Sequence, residues 1–434
     1  MSATAASLGG PLGEQATGRP DRWAFALGVL MVLIYSQAAV APLSGETGDP
    51  EASGLLRALF YPAYAAAIVL IAAVWRRSLL AMLRAPLLIA LVVLAASSTF
   101  WSVAPEITVR RAVALTLTCL SGVALAARFS WARLSEVLAC GFALLAMASL
   151  GAGLFVPAIG RMSDLFPGSW RGLWFEKNAL GEYMTVGFCV CAAAAALNPD
   201  RRRLWGAAAA LTVLLVLLST SKTSLAGLML ASGVLGFVWL VRRGPAAGIA
   251  AVWLGVVLAL GVVGFLVLEP DRAFALFGKD ATLTGRTKIW DAALRRIHER
   301  PDLGWGYGAV WDDKDLWAPL ARISQEAGFV ARHAHSSWIE QALGLGMTGL
   351  VLWSLWFAET ILRAFFALFT RRSAYLAAPY LAAYALTTLT ESVTLIWNEL
   401  TWVMFVTVAV KLALGERPPQ FALAESRRSS PAAP

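Results

Sequence analysis

Apolar runs of about twenty residues recur from one end of the chain to the other, separated by short polar connections. Each run is long enough to cross a hydrocarbon layer of roughly 30 Å as a helix. The pattern predicts spans at 23–41, 55–75, 87–101, 107–127, 134–156, 179–197, 203–220, 222–241, 246–268, 337–360, 374–392 and 396–414. The expected fold class is an all-α polytopic membrane protein with about twelve transmembrane helices and one large extracytoplasmic loop. The organisation follows: an N-terminal tail at 1–22, nine helices over 23–268, the loop at 269–335, three helices over 336–414 and a tail at 415–434. Met1–Pro20 leads into the first span without a small-residue cleavage site, so no cleaved signal peptide is expected.

Inside the loop the period changes from a continuous apolar run to a stripe. From Arg286 to His298, the residues Ile289, Trp290, Ala293, Leu294 and Ile297 recur at helical spacing, which predicts an amphipathic helix. Thr284 is its expected N-cap and Pro301 stops it. Gly304-Trp-Gly-Tyr-Gly308 follows as a turn, either letting backbone approach a ligand or serving as a flexible anchor at the membrane interface.

Composition agrees with a lipid solvent: 59% of the 434 residues are hydrophobic and only 15% charged, where a soluble domain carries about 25% charged residues. Mean hydropathy is +0.66. The net charge of +9 does not indicate a nucleic-acid partner, because the cations sit mainly in short connections. Arg76, Arg77, Arg84, Arg128, Arg133, Arg201–Arg203, Arg242, Arg243, Arg371 and Arg372 all fall on one side, together with Arg19, Arg22, Arg427 and Arg428 at the termini. The positive-inside rule makes that side, and both termini, cytoplasmic. Segment 42–54 on the other side has Glu46, Asp49 and Glu51 and no Lys or Arg. Cys119, Cys140, Cys189 and Cys191 lie in apolar runs and read as small core residues without disulfide or metal roles.

Two outer segments nevertheless carry cations: 157–178, with Arg161, Arg171 and Lys177, and the 269–335 loop, with ten Lys or Arg residues. Basic residues gathered there suit an anionic ligand. Arg286 stands in the first turn of the amphipathic helix, where free N–H groups already favour an anion and a guanidinium adds a bidentate fork; the bland reading is a surface cap. Asp313-Lys-Asp315 spells a metal- and nucleotide-binding pattern, but on the side where nucleotide-sugars are not supplied. His333 and His335 close the loop; a histidine there can take a proton from an attacking hydroxyl, join a weak metal pair, or simply face the interface. Arg110, Arg111, Lys222, Glu391 and Glu399 mark the outer ends of other spans, and ionisable groups at that depth suggest function by default.

The ordered motifs are Trp101-Ser-Val-Ala-Pro-Glu106, Trp170-Arg-Gly-Leu-Trp-Phe-Glu-Lys-Asn-Ala-Leu-Gly181, Ser219-Thr-Ser-Lys222, Gly285-Arg-Thr-Lys-Ile-Trp290, Gly304–Gly308 and His333-Ala-His-Ser-Ser-Trp-Ile-Glu340, with Gly344, Gly346 and Gly349. Over roughly residues 95–400 the chain resembles the O-antigen ligase and polysaccharide polymerase superfamily, and within it the exopolysaccharide polymerases of the succinoglycan type. That resemblance implies a GT-C-like architecture in the bacterial inner membrane and metal-independent transfer, without cofactor, from an undecaprenyl-diphosphate-linked glycan to an acceptor glycan on the periplasmic face. Membrane lipid, a flippase and chain-length regulators are the implied partners.

Residue by residue, the resemblance implies that Arg286 and Lys222 bind the diphosphate with Arg171 and Lys177 assisting, and that His335 is the general base. Glu391 or Glu340 would orient His335, with His333 and Arg110 in support. Lys222 stands where the family usually has arginine, keeping the charge but losing the fork, and Ser336 replaces a usual asparagine. Two other readings compete. A ligase uses the same donor with a lipid A-core acceptor; a transporter or flippase suits twelve spans but predicts internal repeats, which the sequence lacks. A non-catalytic assembly factor or sensor has nothing specific in its favour.

Overall fold

The computed structural model describes residues 21–44, 53–163, 166–269, 286–312, 315 and 318–415. Glu46, Asp49, Glu51, Arg272, Lys279, Thr284, Gly285, Asp313, Lys314 and both tails lie outside the described residues.

The regular secondary structure of the described residues is helical apart from one isolated bridge between Arg161 and Trp170. Among the described residues, seven helices are long and apolar enough to cross a membrane: Gly54–Ala73, Pro105–Arg128, Trp131–Phe155, Lys177–Leu197, Pro199–Ser219, Lys222–Val241 and Ser337–Phe369. Arg22–Tyr35, Pro245–Leu268, Ala374–Thr390 and Leu400–Leu414 are further helices in the bundle. The chain is a multi-pass membrane protein, with exposed Val93, Met147, Leu217, Trp253 and Leu355 providing an apolar exterior.

Local sequence sets the ends of these helices. Proline occupies the first turn at Pro86, Pro105, Pro245 and Pro319, where its missing N–H has no helical partner to lose. Ser130 and Ser221 cap the helices that follow them by accepting from the N–H of Arg133 and Ser224. Where helices meet, small residues allow close approach: a Cβ on Gly181 would fall 2.5 Å from Ser224 Oγ, and one on Gly141 2.5 Å from a Val32 methyl. Lys177–Leu197 is the central helix, packed against Trp131–Phe155, Arg202–Ser219, Lys222–Val241 and Ala374–Thr390. All four cysteines are free thiols, and Cys119 Sγ accepts a hydrogen bond from Trp402 Nε1.

Each predicted span falls on a helix, with three differences of shape. Residues 75–83, expected as a connection, form a helix bent by 82° from Pro86–Phe100. Its Arg76 and Arg77 alternate with exposed Trp75, Leu79, Leu80 and Leu83, which suits a membrane interface rather than water or lipid alone. The amphipathic helix Arg286–Glu299 buries Ile289, Ala292, Ala293, Arg296 and Ile297 and leaves Leu294 45% exposed, so its inward face is rotated from the predicted stripe. Arg296 goes inward because Glu299 and Glu326 meet its guanidinium.

The third difference is a break in the helix that begins at Ser337. Gly346 there has φ 65° and ψ −167°, a conformation essentially closed to other residues. The backbone groups released by the break are taken up by the glycine-rich turn: Trp305 N–H donates to Leu343 O at 3.0 Å, Gly306 N–H to Gly344 O at 2.9 Å, and Met347 N–H to Pro301 O at 2.7 Å. Gly304–Gly308 is thus a locked backbone-to-backbone joint rather than a flexible anchor, and its Tyr307 and Gly308 line a cavity. Its Trp305 and Tyr307 are buried. A Cβ at Gly346 would lie 2.4 Å from the Asp302 carbonyl. Gly346→Ala is therefore expected to destabilise the fold by at least about 2 kcal/mol, read as lower yield and thermal midpoint of the detergent-solubilised protein. Gly233→Ala, at a helical position with nothing within 4 Å, is the neutral control.

The connections sort into two hydrogen-bonded ends. At one, Arg128 pairs with Asp21, Glu136 receives Arg133 and Arg201, and Arg84 donates to Leu414 O. At the other, Trp174 Nε1 donates to Ser36 O, Gln37 Nε2 to Asn398 O, Trp170 N to Leu218 O, Trp101 Nε1 to Leu303 O and Tyr307 Oη to Leu395 O. The loop's helices, Arg286–Glu299 and Pro319–Ala327, share a small core around Ile289, Ile297, Trp305 and Ile323 and join this second end.

Candidate active site

His335 is held in a turn whose every neighbour is engaged. Trp290 Nε1 donates to Ala334 O at 2.8 Å, and the Ala334 N–H donates to Glu340 Oε1 at 2.8 Å. Glu340 also accepts from Trp311 Nε1 and Ser392 Oγ, so this carboxylate ties the loop, the His turn and the 391–399 connection together. Ser337 Oγ donates to Glu391 O and accepts from Val393 N–H, fixing the same connection from the other side. The result is His335 at φ 50°, a left-handed conformation uncommon outside glycine, held here by these hydrogen bonds.

The side chains then form a chain of three. His335 Nδ1 lies 2.9 Å from Glu391 Oε2, and Arg286 Nη2 donates to Glu391 Oε1 at 3.0 Å while Arg286 Nη1 donates to Thr390 O at 2.6 Å. A carboxylate only accepts, so the His335 proton sits on Nδ1 and the Nε2 lone pair is left to act as a base. Burial alone pushes the Glu391 carboxyl up, but the hydrogen bond from His335 and the electrostatic attraction of His335 and Arg286 outweigh it and hold Glu391 below the usual carboxylate range. His333 lies against His335 with ring centroids 3.7 Å apart and planes tilted by 51°, and its Nδ1 accepts from the His335 N–H. Burial, then the neighbouring His335, lowers His333 to about 4, so it stays neutral near pH 7. The ligand atoms of His333, His335 and Glu391 lie within 4.8 Å of one another, close enough to hold one metal ion.

Two cavities adjoin this chain. The first, of about 1080 Å³, is lined by Arg171, Arg286, Arg332, His333, His335 and Glu391, with Ile159, Met162, Phe329 and Val330 on an apolar side. The second, of about 880 Å³, includes Arg111, Tyr307, Trp311, Asp312, Glu340, Gln341 and Trp397. Glu182, Arg332, His333, Glu391 and Glu399 line both.

Of the residues singled out in the sequence, the first cavity therefore brings together Arg171, Arg286, His333, His335 and Glu391, while Glu340 faces the second. Lys177 and Lys222 line neither; Lys177 Nζ donates to Thr220 Oγ1 at 3.3 Å across the tight turn that Lys222 follows. Arg110 is exposed on its helix, next to buried Arg111. Three of the loop's cations are neutralised from within it: Arg322 pairs with Glu299, and Arg295 and Arg296 with Glu326. Arg111 and Glu399, marked in the sequence as ionisable groups at span ends, line the cavities as well, and Arg332 and Glu182 join them without having been singled out. Glu182, a carboxylate in an apolar run, carried a legible signal; Arg332 differs from its neighbours only by contacts.

Residues 207–354 match the family model described as O-Antigen ligase. The matched segment contains Lys222, Arg286 and His335 and ends before Glu391. Over 279 residues the chain is 29% identical to "Exopolysaccharide production protein ExoQ" of Rhizobium meliloti (strain 1021), covering 61% of this chain and 61% of that protein. The chain thus resembles the O-antigen ligases and an exopolysaccharide production protein, and spans less than two thirds of the latter's length.

Proposed function

We propose that this protein joins undecaprenyl-diphosphate-linked oligosaccharide repeat units into exopolysaccharide at the periplasmic face of the inner membrane. It does so through twelve spans with both termini in the cytoplasm. The observation that carries the reading is the Arg286–Glu391–His335 chain on the wall of a cavity that also presents Arg171 and Arg332. An anionic carrier with a lipid tail suits that cavity, whose apolar flank includes Phe329 and Val330, 46% and 76% exposed.

An acceptor hydroxyl attacks the anomeric carbon while His335 Nε2 takes its proton, and Glu391 stabilises the imidazolium that forms. The bond between the anomeric carbon and the phosphate oxygen breaks, and its electron pair leaves on the lipid diphosphate. Arg286, Arg171 and Arg332 meet the charge that develops there, an interaction worth a few kcal/mol per well-aimed donor. Direct displacement inverts the anomeric centre. In this reading His335 needs its lone pair for the proton, so transfer is metal-independent.

The test is reconstitution. Purified protein in liposomes, given lipid-diphosphate repeat units, is expected to yield polymer and free undecaprenyl diphosphate, with EDTA leaving the rate unchanged. Loss of activity on chelation, restored by a metal, would instead make His333, His335 and Glu391 ligands. The family description favours a second reading, ligation to lipid A-core; transfer to that acceptor, without polymer, would establish it.

A further inference from the structure

We propose that the second cavity is the acceptor site, where sugar rings of the acceptor oligosaccharide stack on Trp397 and Trp311. This rests on the glycosyl-transfer reading above. The two cavities share His333, Glu391 and Arg332, so ligands in each meet at the residues beside His335. Two substrates that must react across a short gap need that arrangement.

The walls that the cavities do not share differ in chemistry. The first adds Arg171 and Arg286, against one carboxylate, Glu176, and an apolar flank. The second adds one arginine, Arg111, against two carboxylates, Asp312 and Glu340. Arg111 is itself paired with Asp312. Such a wall offers a diphosphate no spare positive charge. Carboxylates accept hydrogen bonds only, so they recruit hydroxyl donors, which a glycan supplies in number.

Its aromatics are also held ready. The Arg111 guanidinium lies 4.3 Å from the Trp397 ring centroid, and Tyr307 meets that ring edge-on at 5.9 Å and 78°. Trp311 is pinned through its Nε1–H to Glu340 Oε2 at 2.8 Å. Both tryptophans remain partly exposed while lining the cavity. Rigid aromatic faces next to acceptor-only groups suit a sugar, whose ring C–H face packs on the aromatic π face while its hydroxyls reach the carboxylates. A hydroxyl so placed gives its proton to His335 Nε2 as its oxygen bonds to the donor's anomeric carbon in the neighbouring cavity, and the diphosphate departs.

Calorimetric titration of the purified protein with two separate probes tests the assignment. One probe is an oligosaccharide fraction, free of lipid, from partial acid hydrolysis of the polymer made by cells carrying this chain. The other is undecaprenyl diphosphate. Trp397→Ala and Trp311→Ala are each expected to weaken oligosaccharide binding at least tenfold and change undecaprenyl diphosphate binding less than twofold. Trp397→Phe restores most of the oligosaccharide affinity, and Arg286→Ala shows the reverse pattern. Oligosaccharide binding unchanged in both tryptophan-to-alanine variants overturns the assignment. Should Trp397→Ala lose both probes through misfolding, Trp311→Ala decides alone. Arg286→Ala binding undecaprenyl diphosphate as wild type would sink the donor reading of the first cavity, a failure separate from that of the tryptophan arm.

Discussion

His335→Asn lowers the turnover of polymer synthesis roughly a thousandfold while leaving the amount of folded protein unchanged. The size follows from the loss of a positioned general base, which typically costs 10²–10⁴ in rate. Asparagine is the informative replacement because the backbone here is left-handed, with φ 50°, and asparagine tolerates that conformation better than most residues. Its side-chain N–H₂ can also donate to Glu391 where His335 Nδ1 now does. The variant therefore keeps the turn and the carboxylate's partner and removes only the lone pair facing the substrate. His335→Ala would remove both, lose the hydrogen bond to Glu391, and pay for the strained φ without compensation. Turnover on lipid-linked repeat units, with protein quantified in the membrane, is the measurement. An asparagine variant working within tenfold of wild type would remove His335 from the base role.

The helices were legible because each apolar run must satisfy its backbone internally in lipid, and only a helix does so within one segment. The ends were less so. Tyr35 stops its helix six residues before the predicted end, with Gln37 at φ 56°, and Leu400 starts its helix four residues late. Both departures arise from hydrogen bonding between connections, such as Gln37 Nε2 to Asn398 O, which no periodicity encodes. Arg286, His335 and Glu391 stand far apart in the chain but carried legible signals: a guanidinium in a first turn, a histidine closing a loop, a carboxylate at a helix end. What the sequence withheld was their pairing. Arg286 heads its helix, yet its guanidinium reaches across to Thr390 O and Glu391 instead of standing free beside the helix's first turn. Lys222 looked equivalent to Arg286 by residue type, but it follows the Thr220 turn beside Lys177 and lines neither cavity.

Arg286→Ala cuts turnover by about 10²–10³, the typical cost of removing one preorganised donor to a developing charge. It raises KM for the lipid donor as well. Arg286→Lys recovers part of this loss, because an ammonium keeps the charge but offers no planar fork to span Thr390 O and Glu391 while meeting a phosphate. The guanidinium also balances Glu391, so deleting it leaves the carboxylate paired to His335 alone. Glu391→Gln acts on the same unit from the other side: the Arg286 charge loses its counter-ion, and the one amide oxygen that remains can take the place of Oε1 beside Arg286 or of Oε2 beside His335 but not both. Groups acting as one unit are non-additive, since the first deletion already spoils what the second would remove. The double variant Arg286→Ala, Glu391→Gln is therefore expected to lose at least tenfold less than the product of the two single losses. Costs that multiply in full would show that Arg286 and Glu391 serve the reaction independently, and that their contact is a structural ion pair.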